Sequence, residues 1–419
     1  MEPLCIAAPA PSGFCWKGDG GPRCRPGTCL QQPQPGIRAV HTQAHHRKPS
    51  PFLLAALLAA PFAAQAEGFP GIGRIASGFG YYNIDKGFDD KARVYGTLDV
   101  FSDYHDSGHH SGWRLEGGGA WTNKLGLYLR KALDEDTVLE ADVEEGFNLN
   151  GQALDQHWKQ VGALRLALVA LRTRHYGKLE LGKTYNMSTP TYADPFLAVY
   201  GSPYTFLTLP PRGKGAYYLD VRPKHTLAYT TPSYHGFSLG SAMSFGFDDA
   251  ASSGRTVRGK GVSLQYRDSR LILLGSYNDY LSDPWDDGGR SRQTHNVFKS
   301  ASAFYDFGPF SSNLTWQRQD VDYHGTPSMT AWTLGFMLPV GERDLARLVA
   351  TRRNVDSGEQ DATGVMLGYD HFLRPNLALY GRVALIDNQR QAAVSYAGIP
   401  VEQTGDDPSS VAIGIYYHF

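Results

Sequence analysis

The last nine residues of the chain, Val411–Phe419, alternate strictly between two kinds of side chain. Every odd position is large and apolar or aromatic, and the even positions hold Ala412, Gly414, Tyr416 and His418. Because successive side chains of a β-strand point to opposite faces, this period of two predicts a strand with one apolar side and one small or polar side.

A second alternating segment carries charge on one of its sides. Leu139, Ala141 and Val143 lie on one face of the predicted strand, and the other face holds Glu140, Asp142 and Glu144. Three carboxylates on one strand would be very costly in a packed core. They suit the water-filled interior of a transmembrane barrel, whose strands alternate apolar-out and polar-in.

The pattern recurs along the chain after residue 67, in about sixteen segments separated by alternately short and long connections. We therefore predict an all-β fold, a single 16-stranded antiparallel transmembrane β-barrel over residues 67–419. The segments are 93–105, 123–133, 137–149, 163–174, 178–186, 224–234, 236–247, 258–268, 270–280, 295–307, 310–323, 329–340, 346–356, 363–373, 376–388 and 409–419. The long polar connections are 106–122, 187–223, 281–294 and 389–408.

The N-terminal region has the order of an export signal. A basic stretch at 45–48 precedes the apolar run Phe52–Ala60, and Ala64-Gln65-Ala66 provides a small-residue cleavage site. Residues 45–66 are therefore predicted to be a secretory signal peptide. Residues 1–44, which hold all four cysteines, are either a disordered extension or the result of a translation start assigned too early.

Composition narrows the function classes. The formal net charge is −1 and no basic domain stands out, so nucleic-acid binding has no electrostatic footprint. Mean hydropathy is −0.35, too polar for a helical membrane protein and compatible with a barrel. No spacing of residues indicates a cofactor or a metal site, and no nucleophile motif indicates an enzyme.

Several stretches resemble the trimeric general porins of Gram-negative bacteria, of the kind found in Neisseria and Burkholderia. The resemblance is carried by Val94–Asp99, Leu139–Asn150, Tyr176–Lys183, Thr226–Phe245, Leu367–Asp370 and the terminal Gly414–Phe419.

The resemblance implies a homotrimer in the outer membrane, in contact with its lipid and lipopolysaccharide, that passes ions and small polar solutes. It also implies an inward-folded constriction loop at about 187–222. The ending Gly414, Tyr417, Phe419 resembles the signal read by the barrel-assembly machinery.

Selectivity in such a pore depends on the charges that line its narrowest part. The predicted basic pore-lining residues are Lys124, Arg130, Arg165, Arg172, Arg174, Lys183 and Arg382. The acidic ones are Glu140, Asp142, Glu144 and Asp194, and the constriction loop carries Tyr192, Phe196, Tyr200, Tyr204 and Phe206. These rings either pack the loop against the wall or form a surface for an organic solute, and the sign of ion selectivity stays open.

The sequence leaves four functions to compare. A passive diffusion pore is favoured, and the alternative on the same barrel is a solute-specific channel with an aromatic-lined constriction. A barrel enzyme would need a nucleophile constellation that the sequence does not offer. A secreted soluble β-sandwich would leave the outward apolar stripes unexplained.

Overall fold

The computed structural model describes residues 87–147, 164–187, 196, 214–216, 219, 221–245, 258–282, 285–395 and 401–419. All secondary-structure elements in these ranges are β-strands. Nowhere in them does a helix have the length and apolarity needed to cross a membrane.

The described ranges contain nineteen strands, numbered in chain order. The first ten are β1 Lys91–Asp106, β2 Ser111–Gly117, β3 Lys124–Ala132, β4 Thr137–Gly146, β5 Leu164–Thr173, β6 Gly177–Lys183, β7 Thr226–Thr230, β8 Phe237–Ser244, β9 Gly259–Arg267 and β10 Leu271–Leu281. The others are β11 Trp285–Asp286, β12 Ser291–Arg292, β13 His295–Asp306, β14 Ser311–Val321, β15 Met329–Val340, β16 Asp344–Val355, β17 Ala362–Arg374, β18 Leu377–Asn388 and β19 Ser409–His418.

The main sheet closes into a barrel because β1 pairs with the last strand, β19, as well as with β2 and β3. All pairings are antiparallel. β2 and β3 together occupy one strand position of the barrel, because both pair with the same edge of β1. β3 pairs with Lys91–Thr97 of β1, and β2 pairs with Val100–Asp106. The wall therefore has sixteen places, as predicted.

Two short elements lie where the sequence predicted only loops. β2 falls within 106–122, and the small hairpin of β11 and β12 falls within 281–294. The prediction of a continuous loop at 106–122 is thus wrong for Ser111–Gly117, whose register with β1 supplies the hydrogen bonds that stabilise it.

The outer surface is apolar, as the alternation predicted. Leu125, Leu127 and Leu129 of β3 are each 44–50% exposed, while Lys124 and Tyr128 on the other face are buried. The same alternation in β19 exposes Ile413 and Ile415 and buries Ala412 and Tyr416. An apolar band on the outside of a closed sheet matches a barrel whose solvent is lipid.

The break between β2 and β3 folds against the inner face of the wall. Asp99 of β1 accepts hydrogen bonds from the backbone N–H groups of Gly119, Ala120 and Trp121 at 2.7–3.1 Å and from the Tyr380 hydroxyl at 2.8 Å. One carboxylate therefore satisfies the backbone donors of a segment that has left the sheet.

Candidate functional site: the charged inner wall

A first charged cluster lies on the inner face of β3, β4 and β5. Glu144 is held between two cations: Lys124 Nζ lies 2.9 Å from Glu144 Oε2, and Arg165 Nε lies 2.6 Å from Glu144 Oε1. Lys124 and Glu144 project inward because each alternates with an exposed Leu or Val on its strand. Arg165 faces inward because it lies at the register shift between β4 and β5, where Glu144 pairs with Leu166 and Glu145 with Leu164.

Nearer the short-turn end of the same wall, Glu140 is the centre of a second group of contacts. It pairs with Arg172 Nε at 2.8 Å and with Lys178 Nζ at 3.4 Å, and it accepts a hydrogen bond from the Tyr128 hydroxyl at 3.0 Å. Lys178 of β6 also pairs with Glu180 at 3.0 Å.

Asp142 lies between these two groups along β4. Its contact is the hydroxyl of Tyr95 on β1, which donates to Asp142 Oδ1 at 2.8 Å. Cations and carboxylates thus alternate along the inner face of β3–β6, and we call this arrangement the charged ladder. Each charge is held in place by its partners, so the charged face does not need to be buried in an apolar core.

Three predicted basic residues lie away from this ladder. Arg130 faces inward but binds Asp89, just before β1, at 2.9 Å. Arg174 lies in the turn after β5, half-exposed, and pairs with Asp136 of the neighbouring turn at 2.8 Å. Lys183 shares the face of the exposed Leu179 and Leu181, which is the outward set.

A second charged cluster lies on β16, β17 and β18. Asp370 of β17 accepts a hydrogen bond from Arg382 Nη2 at 2.5 Å and pairs with Arg347 through its other oxygen. The sequence predicted Arg382 but not Arg347 and Asp370. On β16 and β17 both faces mix polar and apolar residues, so alternation alone does not reveal which face is inside.

Phe196 belongs to the β6–β7 connection, yet it lies at the second cluster. The guanidinium carbons of Arg382 and Arg347 are 5.3 Å and 5.9 Å from its ring centroid. β6 and β17 are almost half-way round the barrel from each other, so Phe196 reaches the inner face of distant strands.

A later part of the same connection contacts the inner wall again. The carbonyl oxygen of Gly215 accepts hydrogen bonds from Thr294 Oγ1 at 2.5 Å and from Asn296 Nδ2 at 3.1 Å. Lys214 Nζ lies 3.5 Å from Asp287 Oδ1. The other residues predicted for the constriction fall outside the described ones: Tyr192, Asp194, Tyr200, Tyr204 and Phe206.

The carboxyl terminus closes the wall beside β1. Backbone hydrogen bonds join Gly96 and Phe419 in both directions, at 3.1 and 3.2 Å. Gly414 faces inward against the Tyr380 ring, and Tyr417 stacks with Phe419 at 6.0 Å on the outer side.

Within the described ranges no group of three His, Cys, Asp or Glu side chains could hold a metal ion. The inner wall offers fixed charges and hydrogen-bonding groups, which can attract, orient and repel a solute in water.

Comparison with known proteins agrees with this geometry. Residues 53–391 match the family model described as Gram-negative porin. The chain is 25% identical over 349 residues to outer membrane porin protein 32 of Delftia acidovorans, covering 78% of this chain and 93% of that protein. It is 29% identical over 241 residues to an outer membrane porin protein of Bordetella pertussis, covering 54% and 58% of the two chains.

Solved structures share the fold. An anion-selective porin from Comamonas acidovorans aligns with a TM-score of 0.66 at 22% identity, over 79% of this chain and all of that one. The trimer form of OmpT from Vibrio cholerae aligns with a TM-score of 0.58 at 14% identity, over 79% of this chain and all of that one.

A closed sixteen-place barrel, apolar outside and charged inside, defines a transmembrane channel of the outer-membrane type. With the family model matched over most of its length, the chain belongs to the Gram-negative porin family. It is an outer-membrane porin, a passive channel for ions and small polar solutes.

Proposed function

We propose that the two inward charged clusters set which solutes pass this channel. The observation that carries the proposal is the ladder on β3–β6, where Glu144 and Glu140 each bind two cations on the inner face. Fixed charges of both signs around water create a local field that orients dipolar solutes and sorts ions. Transport then needs no covalent step, since the barrel lowers the barrier by providing water and charge across the bilayer.

We propose a weak preference for anions. Among the described residues of the two clusters there are six cations, Lys124, Arg165, Arg172, Lys178, Arg347 and Arg382. Five carboxylates face them, Glu140, Asp142, Glu144, Glu180 and Asp370. The small cationic excess agrees in sign with the selectivity of the Comamonas porin.

The constriction is proposed to be the β6–β7 connection, about 187–222, folded into the barrel. Phe196 at the β16–β18 cluster and Gly215 at Thr294 support this, because both contacts are made with inward-facing groups. The proposal extends the same inward path to Tyr192, Asp194, Tyr200, Tyr204 and Phe206.

Size-dependent permeation distinguishes a general diffusion pore from a solute-specific channel. Proteoliposomes holding the purified protein should swell in neutral sugars at rates that fall smoothly with solute size and rise linearly with concentration. A rate that saturates for one class of solute would instead support the alternative, a solute-specific channel, which the ring of Phe196 between two guanidinium groups favours.

The working unit is proposed to be a homotrimer in the outer membrane, in contact with lipid and lipopolysaccharide and inserted by the barrel-assembly machinery. The trimer form of the Vibrio cholerae neighbour supports the stoichiometry. Mass measurement in detergent should give three copies, and a stable single copy would contradict this.

Export is proposed to remove the signal peptide, residues 45–66, together with the preceding residues 1–44. N-terminal sequencing of protein extracted from outer membranes should begin at Glu67. A sequence beginning within 1–44 would contradict the proposed processing.

A further inference from the structure

Gly368 lies between the two arginines of the second charged cluster. It faces inward on β17, and its direct cross-strand partners are Arg347 on β16 and Arg382 on β18. Two long cationic side chains therefore flank a position with no side chain at all. The result is a notch in the inner wall, one residue wide.

The Phe196 ring fills this notch. A Cβ atom added to Gly368 would overlap Cε1 of the Phe196 ring, and it would come within 3.0 Å of Cζ of that ring and of Nη1 of Arg382. Phe196 is only 1% exposed. Glycine is thus required here for close approach of an aromatic ring to the backbone of the strand, not for an unusual backbone angle.

Asp370 fixes the two walls of the notch. It lies two residues beyond Gly368 on the same inward face and binds both Arg382 and Arg347. Held in this way, the guanidinium groups present their charge towards the ring at 5.3 and 5.9 Å from its centroid, within the range of cation–π attraction.

We propose that Gly368 is a specificity-determining residue of the channel: it seats Phe196 against β17 and thereby fixes how far the β6–β7 connection extends into the pore. The inference rests on the proposed constriction by that connection. When the Phe196 ring is seated against β17, the β6–β7 connection stays close to the wall and the pore beside it is at its widest. A ring pushed out of the notch moves the connection towards the axis and narrows the path.

The test is a double-mutant cycle read by single-channel conductance in a planar bilayer. Gly368→Ala should lower the unitary conductance roughly 1.5-fold and raise the open-channel noise, because even one methyl group overpacks this contact. In a Phe196→Ala background the same substitution should change conductance by less than about a tenth, since no ring remains to be displaced.

Gly381→Ala, on the outward face, controls for the effect of replacing a strand glycine by alanine. Gly381 lies on the neighbouring strand β18, and a Cβ there would meet only one atom within 4.0 Å, the carbonyl oxygen of Ala412. Its variant should conduct like the parent chain. Equal effects of Gly368→Ala with and without Phe196 would overturn the proposal, as would an unchanged conductance in Gly368→Ala.

Folding failure is itself informative in this design. If Gly368→Ala yields no folded barrel and the Phe196→Ala, Gly368→Ala double variant restores it, the ring is the element displaced and the seat is supported. If neither variant folds while Phe196→Ala does, the glycine serves the strand alone and the proposal is wrong. The conductance of the parent chain tests the channel function separately.

Discussion

Arg165 and Glu144 face each other on adjacent strands of the barrel, with Arg165 Nε 2.6 Å from Glu144 Oε1. Lys124 binds the other oxygen of the same carboxylate at 2.9 Å. One negative charge thus lies between two positive ones on the inner face, so removing it leaves two cations of the pore without their shared partner.

Replacing that carboxylate should therefore change ion selectivity. Glu144→Gln removes one negative charge and should shift the reversal potential in a salt gradient towards anion preference. Glu145→Gln is the matched control, because Glu145 follows directly on β4 but is exposed on the outer face. A shift towards cations in Glu144→Gln, or an equal shift in the control, would contradict the account.

Asp99 should contribute strongly to barrel stability. Asp99→Ala removes the acceptor of the Gly119, Ala120 and Trp121 N–H groups, and leaving such buried donors unsatisfied costs about 1–3 kcal/mol each. Tyr380→Phe removes a single hydrogen bond to the Asp99 carboxylate and should cost about 1.5–3 kcal/mol in total. The midpoint of thermal unfolding in detergent ranks the two variants, and a Tyr380→Phe protein less stable than Asp99→Ala would refute the ranking.

The last residue should matter for assembly. Deleting Phe419 removes the backbone pair with Gly96 and the ring against which Gly96 is packed, so the seam between β1 and β19 loses its end. The fraction of chain recovered as a folded, heat-modifiable barrel from outer membranes should fall several-fold. Phe419→Tyr keeps the ring and should assemble normally; full assembly of the deletion would remove the support for an assembly signal at Gly414, Tyr417 and Phe419.

A turn outside the membrane-spanning strands gives a pH dependence of defined sign. Asp268 accepts hydrogen bonds from the N–H groups of Leu271 and Arg270, and these hold its pKa below the usual carboxyl range. Since the folded-state pKa is lowered, the stabilisation is complete above the unfolded-state pKa and is lost as the pH falls through the folded value.

Asp268→Asn isolates this contribution, because the amide oxygen can still accept both hydrogen bonds. The variant should lose less thermal stability than the parent when the pH is lowered from about 6 to about 2. The comparison uses melting temperatures of both proteins at the two pH values. Identical pH dependence would show that the lowered pKa of Asp268 does not affect stability.

Much of the barrel could be predicted because its solvent imposes a strict pattern. A wall with lipid outside and water inside forces a period of two, so β3, β4 and β19 are readable from their own residues. The inward placement of Lys124, Glu140 and Glu144 follows from the same alternation, although their role in selectivity stays a prediction. Arg165 faces inward at the register shift between β4 and β5, which the alternation of β5 does not reveal.

The pattern could not reveal contacts that depend on pairing between distant strands. β2 is seven residues long and is stabilised by its register with β1, which no local signal records. Arg347, Gly368 and Arg382 come from three separate strands and meet only because the register aligns them. Lys183 was predicted to line the pore, yet its parity with Leu181 places it on the outer face.

Single-channel recording of the purified full-length protein in a planar bilayer with a salt gradient tests the central claim most directly. A water-filled, charge-lined barrel predicts discrete conductance steps that rise in proportion to salt concentration and a small reversal potential of anionic sign. Protein that is folded in detergent but gives no conductance steps after insertion would contradict the assignment of this chain as an open channel.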